Sequence, residues 1–144
     1  MKQLLQNLET GKTYIEDLPE PSLKENFIKI KNICSVISPG TEKMLVQFGQ
    51  ANLLQKALSQ PERVKDVISK VQTDGLISTF EAVQSKLQEP IPLGYSSAGI
   101  IIESRSPNFS IGDRVISNGP HSEIVTVNHN LCALIPDNLS FEDA

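Results

Sequence analysis

Between residues 92 and 103 the chain reads Pro-Leu-Gly-Tyr-Ser-Ser-Ala-Gly-Ile-Ile-Ile-Glu, two glycines and three hydroxyl side chains set directly before a β-branched run. A turn so rich in small and hydroxyl residues can hold a metal, a substrate or its own backbone. For a metal, the soft ligands available are Cys34, Cys132, His121 and His129, and their spacing matches no recognisable zinc pattern. A second small-residue turn is Ser38-Pro39-Gly40-Thr41-Glu42. Read locally, Thr41 caps a helix that begins at Glu42, an acidic residue favourable in a first turn. Tyr95 taken alone is equally a buried aromatic whose hydroxyl finds a backbone partner. Gly112-Asp113 and Gly119-Pro120 suit tight turns into strands, and His121 beside the second reads as a strand-start side chain rather than a ligand.

The elements that must position these residues fall into three zones, without an internal repeat. From Thr13 to Cys34 the pattern is extended: Lys12–Leu18, a Pro19/Pro21 break, then Phe27-Ile28-Lys29-Ile30-Lys31 with period two. Phe27, Ile30 or their neighbours are expected to face a core while Lys29 and Lys31 face water. From Thr41 to Gln88 the β-branched residues give way to Gln, Lys, Leu and Ala. Ser59-Gln60-Pro61-Glu62 reads as a capping box with proline in the first turn, followed by Val64, Val67, Ile68 and Val71 at helical spacing. Thr73-Asp74-Gly75 ends that helix, and Leu76, Phe80, Val83 and Leu87 form a second stripe that stops before Pro90 and Pro92. Together they predict a helical hairpin. The last zone returns to short strands at Ala98–Glu103, Arg114–Ser117, Glu123–Val127 and Leu131–Ile135, a spacing typical of a barrel or sandwich. The expected fold class is therefore mainly β with a helical insert, an α+β chain.

Composition narrows the function. The chain has 144 residues with 39% hydrophobic, enough for one globular domain with a real core and too few for a second full one. Net charge is −4 with 13 scattered basic residues, which argues against nucleic acid as a partner. The start, MKQLLQNLETGK, has no apolar leader core, and no run approaches the roughly 18 apolar residues of a membrane span. A cytoplasmic setting is expected. Cys34 and Cys132 lie far apart outside any CxxC pairing, so they are expected to be buried free thiols.

The order of motifs is more specific than any one of them. An early strand is followed by Ser38-Pro39-Gly40-Thr41-Glu42, Gly94-Tyr95-Ser96-x-x-Gly99, Ile111-Gly112-Asp113-Arg114-Val115, Gly119-Pro120-His121-Ser122-Glu123 and Ile135-Pro136-Asp137-Asn138-Leu139-Ser140-Phe141-Glu142-Asp143-Ala144. This series resembles the N-terminal, GroES-like catalytic domain of the medium-chain alcohol dehydrogenase family. The resemblance covers nearly all of residues 1–144 except the insert at about 42–88, and implies a partly open β-barrel interrupted by the helical hairpin. Zinc-dependent members place a metal-binding cysteine where Val36 stands here, and a Gly-His-Glu turn where Gly94-Tyr95-Ser96 stands. Valine cannot bind zinc, and tyrosine and serine are poor replacements for its preferred ligands, so no metal is expected. The motif set looks most like a zinc-lacking branch that includes two-domain oxidoreductases of polysaccharide gene clusters and bacteriochlorophyllide dehydrogenase.

What the resemblance implies can be stated by residue. Ser38 matches a hydroxyl that relays the substrate proton, and Tyr95, at the former ligand position, could stabilise a developing alkoxide or act as general acid. Thr41 and Glu42 are implied on the cofactor side. The cofactor would be NAD or NADP and the substrate a small molecule, by analogy a sugar derivative. No G-x-G-x-x-G occurs in these residues, so a nucleotide-binding domain is expected to be missing after Ala144, and residues 1–144 alone are expected to bind no cofactor and to be inactive. Two other readings stay open. A quinone-reductase-like enzyme would reduce activated double bonds without zinc. A non-catalytic GroES-like module would bind or assemble with a partner through its helices.

Overall fold

A computed structural model describes residues 1–144. The chain divides into two compact units, one made of Met1–Leu5, Tyr14–Glu42 and Pro92–Ala144, the other of Gln6–Thr13 and Lys43–Ile91.

The first unit is β. Its main sheet contains β3 (Phe27–Ser35), β5 (Ser97–Ser104), β6 (Arg114–Ser117), β7 (Ile124–Asn128) and β8 (Cys132–Leu134), in the antiparallel order β7-β3-β5-β6-β8. Register slips between Lys29 and Ile30 and between Asn32 and Cys34 interrupt the β3–β5 ladder. Irregularities of this kind bend a strand and increase its twist, which curls the sheet into a half-barrel. Ile28, Ile30, Ile101, Val115, Val125 and Val127 fill the inside, with Phe109 and Cys132 packed against them. Branched aliphatic residues suit this position because a pleated, half-buried surface accepts their stiff side chains. Beyond β8, Arg114 lies over the Phe141 ring at 4.5 Å and donates to the carbonyl of Leu139, which ties the final segment back to β6.

Three short strands form a second sheet, of order β2-β1-β4: β1 (Lys2–Gln6), β2 (Thr13–Asp17) and β4 (Ile91–Pro92). Neither β1 nor β4 is legible in the sequence. KQLLQ offers no alternation of β-branched residues, and two residues are too few to show a period.

Lys29 corrects an expectation. It is buried rather than facing water, because β3 is an interior strand flanked by β5 and β7, and its amine pairs with Glu103, its cross-strand partner in the β5 register. The two thiols are also less enclosed than expected, each only partly buried.

The second unit is helical: α1 (Pro39–Gln50, its first turn lying in the β unit), α2 (Leu53–Ser59), α3 (Pro61–Asp74) and α4 (Leu76–Gln88). The expected hairpin is α3–α4, turning at Gly75, and two further helices precede it. The capping box sits elsewhere than predicted. Asn52 accepts from the Gln55 N–H while the Gln55 side chain accepts from the Asn52 N–H, at the start of α2. Ser59 instead donates to the Lys56 carbonyl, and Gln60 makes no side-chain cap for α3. The stripes are only partly covered: Val64, Val67, Val71, Val83 and Leu87 are half-buried while Ile68, Leu76 and Phe80 are exposed. No helix is long and apolar enough to cross a membrane.

Candidate functional site

The site begins where β3 ends. Ser38 directly precedes α1, and its carbonyl accepts the Glu42 N–H at 3.0 Å, the first helical bond. The helix therefore starts at Pro39 and not at Glu42 behind a Thr41 cap. Proline needs no N–H partner at a first position, and the Glu42 carboxylate reaches back to the Ser38 N–H, Oε1 accepting at 2.8 Å. That contact satisfies a donor the helix end leaves free and places a negative charge in the first turn.

The other carboxylate oxygen is also used. Glu42 Oε2 accepts from His121 Nε2 at 3.0 Å, and both side chains are about nine-tenths buried. A carboxylate can only accept, so Nε2 carries the proton and in the neutral ring Nδ1 accepts from the Ser35 hydroxyl at 2.8 Å. The backbone of His121 is fixed as well: its N–H donates to the Leu93 carbonyl and its carbonyl accepts from the Leu4 N–H. Opposite the ring stands Gly94, at φ +89°, where an added Cβ would come within 2.7 Å of His121 Cγ and N. Only glycine satisfies both the left-handed backbone and this close approach.

Tyr95 follows Gly94. The residue is 49% exposed. The phenol is held below the ordinary tyrosine pKa, first by the nearby Ser38 hydroxyl and next by that of Thr41, against smaller opposing effects of burial and of the Glu42 charge. Three hydroxyls thus converge on one half-open position. The rest of the opening turn serves the backbone and the core: the Ser96 carbonyl accepts from the Val36 N–H, and the Ser97 hydroxyl pairs in the interior with that of Ser117, which in turn accepts from the Gly119 N–H.

The sequence-derived candidates separate accordingly. Ser38, Thr41 and Tyr95 come together. Glu42 lies beneath them with both oxygens engaged, so its carboxylate is directed into the protein. Val36 is exposed. Cys34 donates to the Phe141 carbonyl, and burial followed by the Glu142 charge pushes its thiol up; burial pushes the Cys132 thiol to about 11. His129 bonds the Ser106 hydroxyl, away from His121. No three His, Cys, Asp or Glu side chains are placed to hold a metal ion. His121, expected as a strand-start side chain, lies instead in the bend before β7, and its partner Glu42 is 79 positions away in the chain, a pairing that no local pattern announces.

Known proteins share this architecture. The chain superposes on the quinone oxidoreductase of Coxiella burnetii with a TM-score of 0.62 at 21% identity, covering 98% of this chain and 38% of that one. The Escherichia coli quinone oxidoreductase complexed with NADPH gives 0.60 at 16%, with 99% and 35% covered, and E. coli galactitol-1-phosphate dehydrogenase 0.63 at 14%, with 99% and 40% covered. The fold is the GroES-like one of medium-chain dehydrogenases and reductases. The GroES-like chain spans no more than two-fifths of the length of these three proteins. Over 72 residues, 48% of its length, it is also 44% identical to a highly reducing polyketide synthase of a Fusarium species, of which it spans 3%. No protein-family model matches the chain.

Proposed function

We propose that this chain is the substrate-side lobe of an NAD(P)-dependent, zinc-independent oxidoreductase acting at the alcohol or carbonyl carbon of a small polar molecule such as a sugar derivative. The observation that carries this reading is the half-exposed Tyr95 phenol with Ser38 and Thr41 on it and its pKa lowered. The nicotinamide, when bound, supplies or accepts the hydride. Tyr95 donates a hydrogen bond to the substrate oxygen and gives up its proton as the C=O bond is reduced, and Ser38 and Thr41 donate to the phenolate left behind. Preorganised donors of this kind act on charge as it develops, and a phenol of lowered pKa is the stronger acid.

The residues present fit the cofactor only in part. Thr41 is exposed on the first turn of α1, on the side a nicotinamide would approach in this reading, whereas both oxygens of the Glu42 carboxylate are engaged within the protein. These 144 residues hold no strand, glycine turn and helix for a pyrophosphate. In this reading the dinucleotide is carried by a nucleotide-binding domain elsewhere in the protein. The setting is the cytoplasm, in keeping with two free thiols.

A second reading has its own support, the quinone oxidoreductases among the structural matches and the stretch shared with a highly reducing polyketide synthase. There Tyr95 would bond the carbonyl oxygen of an enone while hydride enters at the conjugated carbon. The test is turnover by the complete protein with NADH or NADPH, setting aldehydes and ketoses against enones and quinones. Tyr95→Phe is expected to lower kcat by about 10²-fold or more and a chelator to leave the rate unchanged. Because the donor must be protonated, carbonyl reduction slows as pH rises through the lowered phenol pKa, and alcohol oxidation gains over the same interval. Full activity in Tyr95→Phe would sink the assignment, and a rate abolished by chelation would restore a metal. An inert complete protein would return the chain to a binding module.

A further inference from the structure

His121 takes no part in the reaction proposed above, yet it is among the most thoroughly fixed side chains of the β unit. Both ring nitrogens are bonded, one to Ser35 and one to Glu42; both backbone groups are bonded, to Leu93 and Leu4; and Gly94 leaves room for the ring by lacking a Cβ. Through Glu42 it reaches the N–H of Ser38. A histidine needed only to fill space would not require a buried carboxylate, because burying charged or polar partners carries a desolvation cost that an aliphatic residue avoids. The geometry also explains why the partner is glutamate at position 42. That residue is one helical turn beyond Ser38, so its two oxygens can span from the helix end on one side to the imidazole on the other.

We propose that His121 and Glu42 are positioning residues for Tyr95, a buried clamp that fixes the first turn of α1 and so keeps the Ser38 and Thr41 hydroxyls on the Tyr95 phenol. The catalytic meaning of the clamp rests on the reading given under Proposed function, while its effect on Tyr95 does not. Without His121, Glu42 retains only the Ser38 N–H and is drawn toward water, the turn loses its second anchor, and the phenol loses the donors that favour its ionised form. Glu42 also acts on Tyr95 directly, since its negative charge opposes phenolate formation. The two effects of Glu42 have opposite signs and can be separated by substitution.

The chain contains two tyrosines and no tryptophan, so in a Tyr14→Phe background the near-ultraviolet absorbance of phenolate reports Tyr95 alone. The reference is the midpoint of that titration and the upward displacement caused by Ser38→Ala together with Thr41→Val. The clamp requires His121→Ala to raise the midpoint by most of that same displacement, with the circular dichroism spectrum unchanged. Glu42→Gln, which can still bridge Ser38 and His121 but carries no charge, is expected to leave the midpoint in place or lower it. A folded His121→Ala chain whose midpoint stays at the reference would overturn the proposal, as would a Glu42→Gln midpoint raised as far as that of the double variant. Should His121→Ala not fold, Ser35→Ala decides at an exposed residue: cutting only the Nδ1 bond must raise the midpoint by part of the displacement, and no movement overturns the clamp. The titration needs no turnover, so the two readings fail separately. Loss of activity in Tyr95→Phe with a titration indifferent to His121 removes the clamp and keeps the oxidoreductase. The expected titration in an inert complete protein does the reverse.

Discussion

In the β unit the fully enclosed side chains are aliphatic, Ile28, Ile30, Ile101 and Val115, each at most 0% exposed, whereas the side chains buried in the helical unit are Gln6, Lys56 and Thr79. The two units are thus held by different forces. Interior strands β3 and β5 remove apolar area from water, the largest favourable contribution to folding. The helices rely on short-range hydrogen bonds: the Asn52 capping box, the Lys56 amine donating to the Gly49 carbonyl at 2.9 Å, and the Thr79 hydroxyl donating to the Gly75 carbonyl at 2.8 Å. Meanwhile Leu54, Leu58, Leu76 and Ile77 stay more than two-thirds exposed. The site belongs to the first kind of structure. Ser35, Tyr95 and His121 are placed by strands with a packed interior, and a phenol whose acidity depends on two neighbouring hydroxyls needs that rigidity.

The sharpest way to break the contrast is to remove equal amounts of aliphatic side chain from each unit. Ile30→Ala empties a wholly buried position between β5 and β7 and is expected to cost about 3–4 kcal/mol in denaturant unfolding, whereas Ile77→Ala, 76% exposed on α4, should fall within about 0.5 kcal/mol. Comparable losses at the two positions would mean that the helical unit conceals a core of its own. A middle-sized effect is expected where the helical unit depends on backbone geometry. Gly75 joins α3 to α4 at φ 87° and ψ 164°, a conformation that essentially only glycine adopts. Gly75→Ala should cost about 1–3 kcal/mol although nothing lies within 4 Å of the added methyl. A loss of helical circular dichroism that leaves the β unit's slowest-exchanging amides in place would confirm its local character.

The same contrast governs what could be read from the chain beforehand. β3, β5, β6 and β7 follow from β-branched residues between turn signals because their burial is what selects those residues. β1, with Leu4 and Leu5 among lysine and glutamine, carries no such mark. Lys29 was legible as a strand residue but not as a buried one, since its burial depends on Glu103 arriving on a neighbouring strand. In the helical unit the C-terminal stops were clearer than the caps or the faces: Gly75 stops α3 as expected, while exposed Phe80 and Leu76 show that an apolar stripe need not be covered. At the site, Ser38 and Tyr95 were linked only by the family resemblance, since taken locally one turn reads as a helix start and the other as a buried aromatic. The tie from His121 to Glu42 is purely tertiary, joining positions 79 residues apart, and no local pattern carries it.

The smallest expected effect tests whether alkaline pH distinguishes the two units. Both cysteines lie in the β unit. Burial raises the Cys132 thiol from 9.0 to about 11. A group whose folded pKa is raised binds its proton more tightly in the folded state, so its contribution is fully present below the unfolded value and is lost as pH rises through the folded one. Stability should therefore decline between about pH 9 and 11, by on the order of 1 kcal/mol once the partial exposure of the thiol is discounted. Cys34, raised in the same direction by burial and by Glu142, adds to the slope. Cys132→Ala should flatten the decline without changing stability at neutral pH by more than the small packing loss of one sulfur atom. Hydrogen exchange would place the alkaline weakening at β6 and β8, where Ser117 pairs with Cys132. An unchanged slope in Cys132→Ala would mean that the thiol keeps enough water to ionise in the folded chain, and the edge of the β core would then be more open than its neighbours Val115 and Val127 indicate.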